Sequence, residues 1–335
     1  MLCSEKTNWP GDYGDIDNHE FIVDGNHVFL FRPTWGEVKI VIIDISDPSD
    51  LKTVSEIRID DYIGPQDGCI YLTGDHLLIC GVDFWLYDVS DLEKPTFLGK
   101  CSITGTPSCI DVENEHAYIG TKDGMNIIDI SNEHSPTHES YYEMNGSAVD
   151  IIVSDSIIFL ADNEDGIVVF NGSDSRFPHI ITTYDMGNST IQDMHLVGNI
   201  LFYVNPNATG IDISDPMHPV KVWHSIRIYS TICQDRDEMF LYYGNLEVYD
   251  VTDPKDVKKI GEIKDIWVGG RNISVQGSYL FGFFVVDISV TKIKCFDTAS
   301  FLRMAVPAWT IAIASIFLIL KRFRIRSEVE NSHSK

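Results

Sequence analysis

Carboxylates, thiols and an amide recur in this chain at a fixed distance ahead of a repeated tight-turn signal. Counting back from each signal gives Glu20, Cys69, Cys109, Asp150, Asp193, Ile232 and Asn272. If these positions converge, Glu20, Asp150, Asp193 and Asn272 offer oxygen ligands suited to a hard cation such as calcium or magnesium, with the thiols of Cys69 and Cys109 beside them. The competing expectation is that they are repeat polar residues that cap inner strand ends or bind channel water. Symmetric acidic residues do not by themselves make a coordination sphere. The chain shows no other sign of a cofactor.

A second set of carboxylates sits in the segment IIDISDP, Ile42 to Pro48. It recurs as LYDVSDLEKP from Leu86, IIDISNEHSP from Ile127, GIDISDPMHP from Gly210 and VYDVTDP from Val248. Two degenerate copies, VVFNGSDSRFP from Val168 and KCFDTAS from Lys294, complete the series. The shared position is held by Asp44, Asp88, Asp129, Asn171, Asp212, Asp250 and Asp297, at steps of 44, 41, 42, 41, 38 and 47 residues. A catalytic acid has no reason to be repeated in nearly every unit. Ser and Asp that bond nearby backbone donors, followed by a proline that fixes φ, are instead the chemistry of a turn. Other reaction signatures are missing: no HExxH, GxSxG, P-loop or Rossmann fingerprint occurs. Among the eleven histidines, His27, His76 and His116 hold one place just after the turn signal in the first three units, so they read as repeat residues.

The elements that would position these residues are strands. The turn signals DGNHVFLF, TGDHLLIC, ENEHAYIG, SDSIIFLA, VGNILFYV, RDEMFLYY and QGSYLFGF each follow a run that alternates apolar and polar residues. Period two means a strand, and Gly, Asn or Asp at the turn supplies the positive φ of a two-residue hairpin. Each unit holds four short strands: one before the hairpin turn, one after it, one ending at the repeated aspartate and one after the proline. Four strands in about 40 residues, seven times over, is the arithmetic of an all-β, seven-bladed β-propeller of four-stranded blades. That domain spans residues 1–302, and residues 1–12 are placed as an outer strand that closes the ring against the seventh blade.

The copies resemble the LVIVD-repeat family of β-propellers, prokaryotic surface proteins with a strand of the form G-L-x-I-[VI]-D-[VI]-S-x-P-x-x-P after a V-x-G-N-x-[AV]-Y-[VL] hairpin. The resemblance covers roughly Gly14 to Ser300. It implies the architecture and no particular reaction. Asn171 with Gly172 departs from the pattern, as does a seventh unit without its outer strand.

Charge and hydropathy define the rest. The chain has 50 acidic and 25 basic residues, formally −25, which excludes a nucleic-acid surface. Residues before Arg303 hold 19 basic and 48 acidic residues, or −29. Met304 to Leu320 carries no charge and is followed by the basic cluster KRFRIR, so residues 303–322 read as one C-terminal transmembrane helix and 323–335 as a cytoplasmic tail. The propeller would then lie outside the cell. A secretory signal should precede it, yet Met1 to Asp15 has no apolar core. Either the start lies upstream, or a tail anchor holds the body in the cytosol against the charge rule.

Five Asn-x-Ser/Thr sequons, at Asn145, Asn171, Asn188, Asn207 and Asn272, are compatible with an external body. Seven cysteines without CxxC spacing make no metal or redox signature. Cys69 and Cys80 flank the hairpin CIYLTGDHLLIC; its two-residue turn puts them opposite each other, as packed thiols rather than a disulfide. The expected function is a single-pass, membrane-anchored surface propeller that binds another protein or a surface glycan without catalysis. The rivals are a propeller hydrolase or lyase with its site at the channel mouth, and a cytosolic tail-anchored scaffold.

Overall fold

The computed structural model describes residues 20–34, 36–47, 51–60, 67–185, 190–263, 269–276, 279–284 and 287–292. The expected ring-closing segment 1–12, the span 303–322, the tail 323–335 and the last repeat aspartate, Asp297, lie outside these residues. Among the described residues no helix is long and apolar enough to cross a membrane.

Alternation becomes antiparallel sheet in every unit. The described strands form six four-stranded sheets and one three-stranded sheet, each with its strands side by side in chain order. The first sheet, for example, runs through Phe21–Asp24, His27–Thr34, Glu37–Asp44 and Lys52–Ile59. Two-residue hairpins join the inner pair of strands, as where Thr73 faces His76 across Gly74 and Asp75. Gly74 has φ of 56° there, and the equivalent turns of the third and fourth sheets hold Asn114, Glu115, Asp155 and Ser156 at positive φ without glycine. Asn and Asp tolerate that region best, which is why the turn stays readable where Gly is lost.

The repeated aspartate ends the third strand and bends the chain. Asp44, Asp88 and Asp129 each accept the amide two residues on, from Ser46, Ser90 and Ser131 at 2.8 Å. Asn171 does the same to Ser173 at 2.9 Å, and Asp212 and Asp250 to Ser214 and Thr252 at 3.0 and 2.9 Å. The next residue donates to the carbonyl of the same sheet's hairpin turn, as Ile45 to Asn26 at 2.7 Å and Ile213 to Asn199 at 2.8 Å. The register against the outermost strand then slips just before this aspartate in each four-stranded sheet, between Ile42 and Ile43 and between Ile127 and Ile128 for instance. A bulge at that place adds twist and turns the outer strand away. The turn itself leans on the preceding sheet: Ser55 Oγ donates to Leu92 O and Ser140 Oγ to Ser175 O, both at 2.6 Å, and Tyr184 Oη to Pro216 O.

The core lies between sheets rather than within one. Phe29, Phe31, Ile40 and Ile42 of the first sheet pack on Ile70, Leu77, Ile79 and Trp85 of the second. Equivalent apolar layers join second to third, third to fourth, fourth to fifth, fifth to sixth and sixth to seventh. The inner strands touch in the same succession, and that of the first sheet, Phe21–Asp24, also touches that of the seventh, Gly269–Gln276.

Candidate functional site

An inner strand has a ladder partner on one side only, so its alternate amides face the middle of the molecule unpaired. The ring carboxylates answer that need. Glu20 Oε2 accepts from the Ile70 amide of the next sheet at 2.9 Å. Asp150 Oδ2 accepts from Met194 of the fifth sheet at 2.7 Å, while its Oδ1 accepts its neighbour Ile151 at 2.8 Å. Asp193 Oδ2 takes the Ile232 amide at 2.8 Å and the Thr231 hydroxyl at 2.6 Å, both from the sixth sheet. Asp111, two positions further along its strand, repeats the motif with Oδ2 on the Val153 amide at 2.7 Å. Each carboxylate thus clasps the inner strand of one sheet to the next.

Counting from the turn signal misplaces one member of the ring. Asp235 pairs with Glu238, so the sixth hairpin turn is Arg236 and Asp237, and Thr231, not Ile232, occupies the equivalent position. Ile232 contributes its amide while its side chain is buried in the core. Asn272 lies in the strand Gly269–Gln276, and its side chain is outside the described residues. Cys69 pairs with Cys80 in register, and both are buried free thiols. The Cys109 thiol receives the Ser108 hydroxyl at 3.9 Å. Among the described residues no group of three or more His, Cys, Asp and Glu stands where it could hold a metal ion.

Electrostatics follow from this packing. Burial pushes Glu20 up to about 7 against the opposing pull of the Ile70 amide. Burial also raises Asp193 to about 6, opposed by Thr231 and the Ile232 and Met194 amides. Asp150 stands well above the usual carboxylate range because of burial and then the charge of Asp193. Burial raises the thiols of Cys69 and Cys109 far above their ordinary value, which keeps them protonated and unreactive. The histidines pair locally: His76 with Glu133 at 2.8 Å, His116 with Glu139 at 3.0 Å and His195 with Gln234 at 2.8 Å.

Two clusters escaped sequence reasoning. Glu113 reaches the fourth sheet's hairpin turn, its Oε1 on the Asp155 amide at 2.7 Å and Oε2 on Ser156 at 2.8 Å. Glu247, only 1% exposed, holds Arg227 and Lys259 on Oε1 at 2.5 Å and the hydroxyls of Tyr229 and Tyr249 on Oε2 at 2.5 and 2.7 Å. Burial alone would raise its pKa, but Lys259 and the two tyrosines outweigh it and bring it below the ordinary glutamate value. A glutamate inside the apolar run LEVYD was the available signal. Of the sequons, Asn145 is exposed, Asn171 is engaged in its turn, Asn207 donates to Arg227 O at 2.9 Å, and Asn188 lies outside the described residues.

Four-stranded antiparallel sheets whose inner strands touch in succession define a β-propeller. The LVIVD repeat model matches residues 36–57 and 104–143 of this chain. Solved structures agree on the fold. A functionally unknown protein from Desulfotomaculum acetoxidans aligns with a TM-score of 0.64 at 12% identity, over 76% of this chain and 89% of that one. The β-propeller domain of Cps50 (Swd1) from Myceliophteria thermophila gives 0.63 at 11% identity, over 87% of this chain and 100% of that one. The computationally designed Ika8 protein gives 0.59 at 10% identity, over 85% of each chain. A comparison with curated proteins returns no match.

Proposed function

We propose that this is a seven-bladed propeller held at the cell surface by residues 303–322, with residues 323–335 in the cytoplasm, and that it is a non-catalytic binding module for another protein or a surface glycan. The observation that carries the binding reading is the use made of the ring carboxylates. Glu20, Asp111, Asp150 and Asp193 spend oxygens on amides of the neighbouring sheet, which is scaffolding work. Recognition then falls to loops and to clefts between sheets, where the repeats differ. The blade count rests on the spacing of the repeats and on the contact between the first and seventh inner strands. Residues 1–12 supply the outer strand that the seventh sheet needs. The surface placement rests on the uncharged run before KRFRIR and the charge rule.

Protease treatment of intact cells tests the placement. Digestion of the propeller with survival of a small membrane-held C-terminal fragment is the expected result. A body that stays intact until the membrane is permeabilised would overturn it in favour of the cytosolic tail-anchored form.

A further inference from the structure

A cleft of about 270 Å³ opens between the fourth and fifth sheets on the hairpin-turn face, lined by Ser154, Ile157, Phe159, Leu196, Gly198 and Asn199 among others. Its origin can be read by comparing it with the interface one step back. There Glu113 ends the inner strand of the third sheet, and its carboxylate fills the space while binding both amides of the next hairpin turn, Asp155 and Ser156. Tyr118 packs in the same layer between the third and fourth sheets, its ring 6.5 Å from that of His116. At the following interface the same three positions hold Ser154, Ile157 and Phe159, as the paired registers of the two hairpins show. Serine is too short to reach the next turn. The equivalent amides are those of Gly198, at φ of 57°, and Asn199, and no described residue accepts from either. The cleft therefore occupies the place that the Glu113 carboxylate takes one interface back, with the two equivalent amides beside it.

We infer that this cleft binds a small zwitterion of the α-amino-acid type with an apolar side chain. Its carboxylate takes the place of the Glu113 group, on the amides of Gly198 and Asn199. Two successive backbone amides in a turn form an anion-binding concavity of a known kind. Ile157, Phe159, Leu196 and Ile213 on the walls receive the apolar side chain. A simple anion is a poor match for a chain of formal charge −25 and for Asp155, which also lines the cleft. An ammonium group on the same ligand turns Asp155 from a repulsive neighbour into a partner. The volume lies near the lower end of ligand pockets, about 300–1,000 Å³, which fits a single small molecule. The inference deepens the binding-module reading by naming a ligand class, and it does not depend on the compartment.

Isothermal titration of the full chain in detergent with L-leucine, 4-methylpentanoate and 3-methylbutylamine tests it. Leucine is expected to bind at one site, with each half-analogue at least about tenfold weaker. Ser154→Glu places an internal carboxylate on the free amides and should abolish leucine binding while leaving the melting temperature equal or higher. Ser154→Gln fills the same space without charge and is expected to do likewise. Asp155→Asn should weaken leucine but not 4-methylpentanoate. Absence of leucine binding to the unaltered chain overturns the proposal, as does unchanged binding in folded Ser154→Glu or Ser154→Gln. A 4-methylpentanoate affinity equal to that of leucine overturns the zwitterionic assignment. Because no cells are used, failure here is distinct from failure of surface placement.

Discussion

At the scale of single residues, the acidic ring is a set of hydrogen-bond acceptors for an unpaired strand edge. Asp193→Ala strips the Ile232 amide and the Thr231 hydroxyl of their acceptor, and Thr231 is only 2% exposed. The expected cost is about 1–3 kcal/mol, the range for a buried donor left unsatisfied. Asp193→Asn keeps an acceptor oxygen and should cost clearly less. Urea denaturation of both variants decides it, and equal losses would argue against the clasp. The raised pKa values add a pH signature. Glu20 titrates near 7 in the fold and at about 4.3 in the unfolded chain, so between these values the folded state binds more protons. Stability from this group is present at low pH and is lost as pH rises toward 7. The turn aspartates have the opposite sign: Asp44 and Asp129 are lowered by their Ser46 and Ser131 partners, and their contribution is lost as pH falls below the ordinary carboxylate range. Melting curves from about pH 5 to about pH 8 should therefore fall for the unaltered chain and fall less for Glu20→Gln. Parallel curves would show that Glu20 does not titrate in this window.

At the scale of elements, hairpins and turns were legible because their chemistry is local. Thr73 and His76 flank the Gly74-Asp75 turn as the spacing requires, and the repeated position caps its own turn in six described copies, five through aspartate and one through Asn171. The departure at Asn171 also makes sense, since an amide oxygen accepts as a carboxylate does. Asp129→Asn should therefore be nearly silent in thermal denaturation, and Asp129→Ala should cost at most about 1 kcal/mol, the net worth of one exposed hydrogen bond. A large loss in the Asn variant would mean that charge rather than geometry holds the turn. The turn signal falls one residue late in the sixth hairpin because Arg236 occupies a positive-φ position that usually announces itself by Gly, Asn or Asp. The cleft is not legible in the sequence, and the one sign of the Glu247 cluster is a glutamate inside an apolar run. Each depends on side chains from adjacent sheets, and Ser154 meets Gly198 only because two units stack. A repeat pattern shows which positions are equivalent, but not that a short side chain at one leaves a space at the next.

At the scale of the whole molecule, each sheet buries its apolar face only against its neighbours, so stability is a sum of interfaces around a ring. Onto that ring the residues before Arg303 load a formal charge of −29. Two electrostatic effects then oppose each other in salt. Ion pairs between sheets, such as Lys255 with Asp212 at 2.5 Å, weaken as they are screened. Self-repulsion of the acidic surface weakens as well, and that favours the compact state. Exposed ion pairs are worth only about 0–1 kcal/mol each, and the part-buried Glu247 cluster is screened least. Repulsion among a large excess of acidic groups involves the entire surface, so its relief should dominate. Raising NaCl from about 20 mM to about 500 mM shortens the Debye length from roughly 20 Å to roughly 4 Å and should raise the melting temperature. A lower melting temperature in high salt would mean that the screened ion pairs between sheets outweigh the relief of surface repulsion.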